Sequence, residues 1–472
     1  MSCNLQNRWQ KFGLVLLVLI VAVNGYAGPR SNVKKTALDR YVYKPDPNFK
    51  FKLVSTSKGE GHTTYILSLT SQQWRTEAEV DRPIWEHWLT IIQPDEVKTP
   101  TGLLFIEGGS NNGKAPGKPA AMFYDVAVNS HAVVSVLRMI PNEPLTFKDD
   151  NKARTEDSII AYTAEKFFKT GDETWPLRLP MTKSAVRALD AVTAFCASDE
   201  GGKAKTSVNN FVVSGGSKRG WTAWTTAVVD DRVIALVPFV IDVLNNEKSM
   251  DHHFRAYGFW APAVGDYKPV FNGWLGTPQN KALVKIEDPY EYRDRLTMPK
   301  MIVNSTGDQF FAPDSSQFYF ADLKGEKYLR YVPNTNHGLD KSDAAISLGA
   351  FFDAIVTNRP RPQYAWKFKA DGSIEVRTKD KPTEVKLWQA TNPKARDFRL
   401  EAIGPAYTSS PLTAVKDGVY VAQMPKPAQG FTAYFIELTF ANGGKYPLKY
   451  TTAVRIAPDV LPFPSPVRTD AK

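Results

Sequence analysis

The stretch of chain from residue 211 to residue 229 constrains the possible fold more than any other. It begins with an apolar run, Phe211-Val212-Val213, which predicts a buried strand, and continues into a turn of small residues around Ser217. The apolar segment that follows, 221–229, is compatible with a helix. A serine at a sharp strand-to-helix turn presents its hydroxyl at the top of a sheet, where it can act as a nucleophile. The stretch therefore predicts an α/β sheet and makes Ser217 the candidate nucleophile.

The glycines of this turn have a predicted steric function. Gly215 and Gly220 leave space where the strand and the helix come close, and a strained turn tolerates glycine best. The pattern is G-x-S-x-x-G, whereas the usual nucleophile elbow is G-x-S-x-G, so Arg219 occupies the position of a glycine. A phosphate-binding turn or a purely structural turn is the alternative interpretation of the same residues.

A nucleophilic serine needs a general base, and the base needs an acid that orients it. In α/β-hydrolases these groups follow in the order Ser, Asp or Glu, His. An apolar strand that begins at Pro299 runs into a turn with Asp308, and a strand over 327–332 leads to His337. Both residues lie just past the carboxyl ends of predicted strands, where ligand crevices form in α/β sheets. We therefore predict Asp308 as the acid and His337 as the base.

Other residues compete for these roles. Asp242 ends another predicted strand, and Asp314 lies soon after Asp308. We assign Asp242, and Arg219 of the turn, to supporting positions or substrate contacts. The adjacent histidines His252 and His253 point to opposite sides of an extended segment, so they predict no metal site. They line the cleft or lie on a surface loop.

A serine hydrolase also needs two donors that hold the oxyanion, commonly backbone N–H groups. Lys218, the residue after the nucleophile, supplies one of them in our prediction. The other comes from Gly109, because Gly108-Gly109 follows the apolar strand 103–107. A simple glycine turn is the alternative interpretation of that pair.

The N-terminus has the three parts of a secretory signal peptide. Arg8 and Lys11 precede an apolar run over 12–23, and small residues at Gly25 and Ala27 follow it. We predict a signal peptide over 1–27 and an exported protein, periplasmic or secreted; an uncleaved anchor is the alternative. No later apolar segment reaches about 18 residues, so we predict no membrane span in the mature form.

The cysteine content limits the possible disulfides, and the charge distribution limits the possible partners. After cleavage, Cys196 is the sole remaining cysteine, so no disulfide is possible within the mature chain. The net charge is +10, but the basic residues are spread widely, which argues against nucleic-acid binding and allows a weak attraction to anionic surfaces. We predict no cofactor and no metal, and a peptide or ester as the substrate.

From about residue 51 to residue 243 the chain alternates strand-like and helix-like patterns. This alternation implies parallel strands joined by crossover helices, here after an antiparallel start. We predict an α/β-hydrolase-like domain with a mostly parallel sheet over residues 28–360. A segment rich in Gly, Pro and aromatic residues, about 245–292, is assigned to a cap that either packs onto the sheet or lines a pocket.

The chain changes character after the linker Asn358-Arg359-Pro360-Arg361-Pro362. Asp371-Gly372 predicts a hairpin, and apolar residues then alternate with period two. The alternating pairs include Trp366/Phe368, Ile374/Val376, Val385/Leu387, Phe398/Leu400 and Val419/Val421. We predict a small all-β sandwich over residues 361–472 that carries no catalytic residue.

Several strings of residues resemble the PhoPQ-activated pathogenicity-related proteins. They are Val213-Ser214-Gly215-Gly216-Ser217-Lys218-Arg219-Gly220-Trp221, Val240-Ile241-Asp242-Val243-Leu244-Asn245, Gly307-Asp308-Gln309-Phe310-Phe311, Asn336-His337 and the run 390–399. The resemblance implies an exported protein with an α/β-hydrolase-like core, and Ser217, Asp308 and His337 as nucleophile, acid and base. It also implies that an arginine at position 219 belongs to the family pattern.

Together these features predict an exported serine hydrolase that cleaves an amide or an ester through a Ser-His-Asp triad. A peptidase is slightly favoured, by analogy with hydrolases that carry accessory β domains. A carboxylic or carbohydrate esterase is one alternative. A non-catalytic secreted binding or signalling protein on a hydrolase fold is another.

Overall fold

The structure is a computed structural model, and it describes residues 34–111, 113–202 and 206–467. The predicted signal peptide over 1–27 lies outside these residues. Within the described ranges, no helix is both long enough and apolar enough to cross a membrane. Cys196 is a free thiol buried in the core.

The first part of the described chain contains eleven strands. They are β1 (Lys50–Gly59), β2 (His62–Gln73), β3 (Ile84–Pro94), β4 (Thr101–Ile106), β5 (Val134–Leu137), β6 (Leu145–Phe147), β7 (Lys152–Arg154), β8 (Asn210–Gly216), β9 (Val233–Phe239), β10 (Lys300–Ser305) and β11 (Lys327–Val332). Nine of these described strands form one sheet in the order β1-β2-β3-β5-β4-β8-β9-β10-β11, and β6 and β7 form a separate ribbon. The strands from β5 to β11 in that order run parallel, and β1 to β3 are antiparallel.

The helices connect and cover these strands. They are α1 (Ala37–Tyr43), α2 (Ala121–Ser130), α3 (Glu156–Thr170), α4 (Arg178–Cys196), α5 (Lys218–Val229), α6 (Asn246–Tyr257), α7 (Lys268–Trp274), α8 (Pro278–Glu287), α9 (Ala344–Val356) and α10 (Leu400–Ile403). Short 3₁₀ helices span Pro262–Tyr267, Pro289–Tyr292, Ser315–Phe318 and Phe320–Asp322. The mostly parallel sheet with crossover helices confirms the predicted α/β-hydrolase-like class.

Neighbouring residues along the central strands enter separate hydrophobic cores on the two faces of the sheet. On β4, Leu104 packs with the core that contains residues of α4 and α5, whereas Leu103 packs with the core that contains residues of α2 and α9. A parallel strand covered on both faces is apolar along its whole length rather than alternating. This is why the sequence marks these strands as short continuous apolar runs.

The predicted cap segment folds into α6, α7, α8 and two of the 3₁₀ helices. Its aromatic residues have both of the functions that the sequence left open. Trp274 stacks on Phe168 of α3 with ring centroids 4.8 Å apart, which fixes the cap to the sheet domain. Tyr267 and Phe271 line a cavity that also contains Ser217.

The C-terminal part consists of antiparallel strands. They are β12 (Tyr364–Phe368), β13 (Ile374–Thr378), β14 (Glu384–Asn392), β15 (Thr408–Pro411), β16 (Ala414–Lys416), β17 (Val419–Ala422), β18 (Phe431–Phe440), β19 (Leu448–Thr451) and β20 (Arg455–Ala457). One sheet has the order β12-β13-β17-β16 and the other β15-β14-β18-β19, with β20 also paired to β18. The predicted hairpin at Asp371-Gly372 is present, since Phe368 of β12 pairs with Ile374 of β13.

One predicted strand position in this part is wrong. The alternation of Phe398 with Leu400 predicted extended chain, but residues 400–403 form the helical turn α10. Leu400 donates its backbone N–H to the carbonyl oxygen of Gly307 at 3.0 Å, so a contact with the sheet domain determines the local backbone. A pattern of two apolar residues cannot reveal such a distant partner.

The C-terminal sheets pack directly on the edge strand β11. The N–H of Tyr331 on β11 donates to Thr451 Oγ1 at 3.0 Å, and the hydroxyl of Tyr364 donates to the carbonyl oxygen of Thr451 at 2.9 Å. The division of the chain at residue 360 stays a prediction. The packing itself shows that the two parts share a continuous interface.

Candidate active site

Ser217 lies in the tight turn between β8 and α5. Its backbone has φ 57° and ψ −129°, and its N–H donates to the carbonyl oxygen of Phe239 at 2.9 Å. A positive φ is uncommon for a residue other than glycine and is costly unless the surroundings impose it. The turn thus has the strained strand-to-helix geometry that the sequence predicted.

The two glycines of the turn have the steric function expected of them. A Cβ on Gly215 would lie 2.7 Å from the carbonyl oxygen of Arg219. A Cβ on Gly220 would lie 2.9 Å from the carbonyl oxygen of Gly215 and 3.0 Å from that of Phe239. Real Cβ atoms do not approach backbone oxygens so closely, so this turn requires glycine at both positions.

Asp308 and His337 form a hydrogen-bonded pair. The two oxygens of Asp308 lie 3.0 and 2.8 Å from Nδ1 of His337, and Asp308 is only 3% exposed. The backbone N–H of Phe310 donates to Asp308 Oδ1 at 2.8 Å and fixes the carboxylate. A carboxylate at Nδ1 favours the tautomer whose Nε2 is free to accept a proton. Nε2 of His337 is buried and has no hydrogen-bond partner among the described residues.

The fold brings all three predicted residues to one edge of the sheet. Ser217, Asp308 and His337 follow the carboxyl ends of β8, β10 and β11, which run parallel. Phe310 and Phe311 line the cavity that contains Ser217, and their rings lie 4.4 and 5.9 Å from the ring of His337. His337 therefore contacts two aromatic residues of the wall of the cavity that contains Ser217.

Asp242 has a different set of partners. Its two oxygens accept hydrogen bonds from the hydroxyls of Tyr319 and Tyr331, each at 2.6 Å. Burial raises the pKa of Asp242 to about 8, although both tyrosines act in the opposite direction. Because both oxygens are engaged by tyrosines, Asp242 supports the packing between β9 and β11 and does not orient His337.

Asp314 is the centre of a separate ionic cluster. Its carboxylate lies 2.9 Å from Nε2 of His252 and 2.7 Å from a guanidinium nitrogen of Arg396. Burial raises the pKa of Asp314, but the charges of His252 and Arg396 outweigh burial and hold that pKa well below its ordinary value. The cluster joins α6 of the cap to the C-terminal part. The sequence placed His252 in the cleft or on a loop and gave no sign of this pairing.

The two predicted oxyanion donors follow neighbouring strands, β4 and β8. Ile106 at the end of β4 pairs with Gly215 of β8, so Gly109 and Lys218 both follow the same edge of the sheet. Gly109 has φ 141°, which favours glycine, and the N–H of Lys218 opens α5, where no intrahelical acceptor exists. Both N–H groups are in positions compatible with the predicted function.

The side chain of Arg219 braces the turn. Its guanidinium donates to both carboxylate oxygens of Glu156, at 2.7 and 3.0 Å, and its Nε donates to the carbonyl oxygen of Ile140 at 2.5 Å. A Cβ on Gly108 would lie 2.4 Å from this guanidinium, so the glycine makes room for it. Arg219 thus ties α5 to the loop after β5 and to the start of α3, which explains an arginine where the usual elbow has glycine.

The cavity beside Ser217 has a volume of about 90 Å³ and lies between the cap and helices α3, α4 and α5. Its polar lining includes three residues that sequence reasoning missed, namely Arg178, Asn280 and Glu287. No motif marks them: Arg178 begins α4, whereas Asn280 and Glu287 lie on α8. Within the described ranges, no group of three or more His, Cys, Asp or Glu residues is arranged to hold a metal ion.

Comparisons with known proteins agree with the resemblance seen in the sequence. The family model of the PhoPQ-activated pathogenicity-related proteins matches residues 38–399. Autocrine proliferation repressor protein A of Dictyostelium discoideum is 38% identical over 483 residues, which cover 96% of this chain and 95% of that protein.

Similar solved structures are more distant. Acetyl xylan esterase 1 from Thermoanaerobacterium sp. JW/SL YS485 is 15% identical, with a TM-score of 0.46, and the match covers 68% of this chain and 92% of that one. The glucuronoyl esterase from Solibacter usitatus is 12% identical, with a TM-score of 0.39, and the match covers 67% and 90%.

Proposed function

The chain belongs to the family of PhoPQ-activated pathogenicity-related proteins, and from this premise we propose that it is an exported serine hydrolase. Ser217 attacks the carbonyl carbon of an amide or an ester, and His337 takes the serine proton and returns it to the leaving group. Asp308 holds the imidazole in the required tautomer. The N–H groups of Lys218 and Gly109 stabilise the negative charge that develops on the carbonyl oxygen.

The observation that carries this proposal is the state of His337. One ring nitrogen is fixed by Asp308, and the other, Nε2, is buried without a hydrogen-bond partner among the described residues. A buried polar atom without a partner costs free energy, and such atoms in native proteins call for an explanation. A base that receives the proton of Ser217, which follows a strand of the same sheet edge, gives that explanation.

A fluorophosphonate probe tests the proposal, because it reacts with activated serines. We expect Ser217 to be labelled in the wild-type protein and Ser217→Ala to remain folded and unlabelled. Ser214→Ala is a matched control, since Ser214 is buried on the same strand and donates to the carbonyl oxygen of Val237 at 2.7 Å. A folded wild-type protein that is not labelled would contradict the proposal, as would hydrolysis by Ser217→Ala within tenfold of wild type.

The scissile bond is either an amide or an ester. A peptide is the first substrate to test, by analogy with hydrolases that carry an accessory β domain, and carboxylic or carbohydrate esters are the alternative. A panel of peptides, 4-nitrophenyl esters and acetylated oligosaccharides compares the classes directly. The class with the highest kcat/KM that is lost in Ser217→Ala identifies the substrate chemistry.

A second candidate function is non-catalytic signalling outside the cell. It is favoured by the relative named autocrine proliferation repressor protein A, which matches nearly the whole of both chains. Purified wild-type protein and Ser217→Ala would be added to growing Dictyostelium discoideum cells and the doubling time measured. Equal slowing of growth by both proteins supports signalling without catalysis, whereas an effect of the wild type alone supports hydrolysis.

Export is tested separately, by determining the first residue of the mature protein. We propose that the signal peptide is cleaved after Ala27, so the mature chain begins near Gly28. N-terminal sequencing of the protein recovered outside the cytoplasm gives the result directly. A chain that still contains Arg8 and Lys11 would show an uncleaved anchor instead.

A further inference from the structure

The cavity beside Ser217 contains a buried positive charge without a counter-charge in contact with it. Arg178, the first residue of α4, is 6% exposed and lines this cavity. Its guanidinium stacks on the ring of Trp221, with Cζ 4.2 Å from the ring centroid, and makes one long hydrogen bond of 3.4 Å to the carbonyl oxygen of Lys218. Its Nε has no hydrogen-bond partner among the described residues.

The other buried arginines show how unusual this is. The described part of the chain contains five buried arginines including Arg178, and each of the other four forms an ion pair with an aspartate. The four pairs are Arg187–Asp190, Arg330–Asp343, Arg396–Asp314 and Arg399–Asp397. Arg178 has no carboxylate within 4 Å among the described residues. Buried charges are normally paired, so an unpaired one beside a candidate nucleophile requires a reason.

A second donor in the same cavity also lacks an acceptor. Asn280 of α8 is 4% exposed and lines the cavity, and its Nδ2 has no hydrogen-bond partner in the described ranges. Helix α8 belongs to the cap and α4 to the sheet domain, so the two donors come from opposite walls. A buried guanidinium without a carboxylate partner and a buried amide without an acceptor, both lining one cavity, point to a ligand that brings acceptors.

The acidic residues of the cavity do not supply the missing charge by contact. Asp157 accepts from the hydroxyl of Tyr267 at 2.8 Å and from Lys218 Nζ at 3.2 Å. Asp288 accepts from the backbone N–H groups of Asn246 and Tyr290 at 2.8 and 2.9 Å. Both carboxylates therefore have other partners.

Glu287 is the remaining acid of the cavity. Burial raises its pKa to about 7, and the charge of Arg178 acts in the opposite direction. Glu287 can therefore become neutral near pH 7 by taking up a proton, whereas a guanidinium stays charged throughout the accessible pH range. At pH 7 Arg178 therefore has at most a partly ionised Glu287 near it, and no carboxylate in ion-pair contact among the described residues.

We propose that this cavity binds a carboxylate of the substrate through Arg178 and Asn280. The proposal rests on the proposed function, since it identifies the substrates of Ser217 as molecules that carry a carboxylate on the part lying in the cavity. One guanidinium and one amide offer donors to the two oxygens of a carboxylate. The remaining lining is largely apolar, so the body between the scissile bond and the carboxylate is aliphatic or aromatic.

A binding experiment tests the anion site without requiring catalysis. Pentanoate and pentanamide have nearly the same shape and differ in charge, and saturation-transfer NMR titration of the wild-type protein compares their affinities. We expect pentanoate to bind about 10-fold more tightly, since hydrogen bonds to a charged group are the stronger ones. We expect Arg178→Met to abolish the difference. Equal affinities for the wild-type protein, or a preference that persists in Arg178→Met, would overturn the proposal.

Two further variants control for folding. Arg187→Met also removes a buried arginine from α4, but outside the cavity, and Asp190 keeps its ion pair with Arg232 at 2.8 Å. It should leave the preference for pentanoate unchanged. Arg178→Lys keeps a positive charge and is the alternative variant if Arg178→Met does not fold. In Arg178→Lys the preference for pentanoate over pentanamide should decrease without being lost. An unchanged preference in Arg178→Lys and a lost one in Arg187→Met would assign the effect to α4 as a whole and refute the site.

A turnover experiment separates failure of this proposal from failure of the proposed function. Mono-4-nitrophenyl adipate ends in a carboxylate, and the matching carboxamide ester is neutral. We expect kcat/KM to be about 10-fold higher for the carboxylate in the wild-type protein and equal for both esters in Arg178→Met. If both esters react equally in the wild type, the proposed carboxylate specificity is wrong, whereas the proposed hydrolase activity still holds. If neither reacts and Ser217 is not labelled, the proposed function fails, and the NMR result alone decides whether the anion site exists.

Discussion

Two aspartate–histidine pairs in this protein have nearly the same hydrogen-bond length and different surroundings. His337 lies 2.8 Å from Asp308, and His252 lies 2.9 Å from Asp314. Arg396 also binds Asp314, whereas Asp308 has no arginine or lysine in ion-pair contact among the described residues. His337 has a free Nε2 and its ring contacts Phe310 of the cavity wall, whereas Nε2 of His252 is the atom that faces its aspartate.

A hydrogen bond from a histidine to a buried carboxylate is therefore not sufficient to identify a general base. The carboxylate fixes the ring in both pairs. Only His337 combines this with a free nitrogen and a strained serine on the same sheet edge. The other pair, His252 with Asp314, also contains Arg396 and joins the cap to the C-terminal part, which is a structural function. Variants of both pairs test this distinction, beginning with the largest expected effect.

The two histidines should differ most strongly in catalysis. We expect His337→Gln to lower kcat by about 10⁶-fold, as removal of a base does in serine hydrolases, and His252→Gln to change it less than about tenfold. The measurement is kcat on the best substrate of the panel, with the folded fraction determined by circular dichroism. Comparable losses in the two folded variants would remove the distinction.

The three aspartates should also differ in their contribution to kcat, with Asp308 contributing far more than Asp242 and Asp314. Asp308→Asn is expected to lower kcat by about 10⁴-fold, because an amide stabilises the wrong tautomer of the histidine. Asp242→Asn and Asp314→Asn should cost far less in kcat per folded molecule. Steady-state kinetics at fixed folded concentration gives the ranking, and a greater loss in Asp242→Asn than in Asp308→Asn would assign the acid to Asp242.

The ionic cluster should be needed mainly for stability. Arg396→Met leaves the buried Asp314 with His252 and the amide of Gln317 and without its arginine, and breaking a buried pair costs about 3–5 kcal/mol of unfolding free energy. Denaturant unfolding measures this loss. Below the transition, labelling of Ser217 per folded molecule should match wild type. If labelling disappears while the protein is folded, the cluster contributes to the active site.

The C-terminal part should influence the loop of His337 through Asn334. The side chain of Asn334 donates to the carbonyl oxygen of Tyr407 and accepts from its N–H, both at 2.8 Å, and Asn334 has φ 58°. Asn334→Gly keeps the backbone conformation and loses both bonds, so we expect a loss of about 1–3 kcal/mol in stability. Thermal unfolding checks this value, and an unchanged melting temperature would show that the contact is dispensable.

A pH-dependent effect concerns His253, the neighbour of His252. Burial lowers the pKa of His253 to about 3 from its ordinary value of 6.5. The unfolded chain therefore takes up a proton first as the pH falls, so stability present above pH 6.5 is lost progressively toward pH 3. The slope is at most about 1.4 kcal/mol per pH unit for this group. Unfolding free energies between pH 7 and pH 4 should decline less steeply in His253→Gln than in the wild type.

Local patterns in the sequence predicted the parts of the site that depend on neighbouring residues and chain order. The strand 327–332 was predicted with the bounds that β11 has, and the turn of Ser217 follows from glycines next to it in the chain. The pairing of Asp308 with His337 was predicted because parallel neighbouring strands bring their carboxyl ends together. None of these steps requires knowledge of a distant segment.

The features that were missed depend on distant segments. Leu400 leaves the extended pattern because its N–H meets Gly307, and Arg396 is important because it reaches an aspartate of the sheet domain. Arg178 and Asn280 lie on helices that a sequence analysis has no reason to bring together. Their significance appears only when the cap closes over the sheet and leaves both donors without partners.

The sequence by itself determined the class of fold, the position of the strained serine and the order of the three residues predicted to act together. These follow from apolar periodicity, the conformational freedom of glycine and the parallel direction of the strands. The tertiary structure alone decided that Asp314 meets His252 and Arg396, and which buried charge stays unpaired. The physical reason is that the energy of a buried charge depends on every group within a few ångströms, and those groups come from segments far apart in the chain.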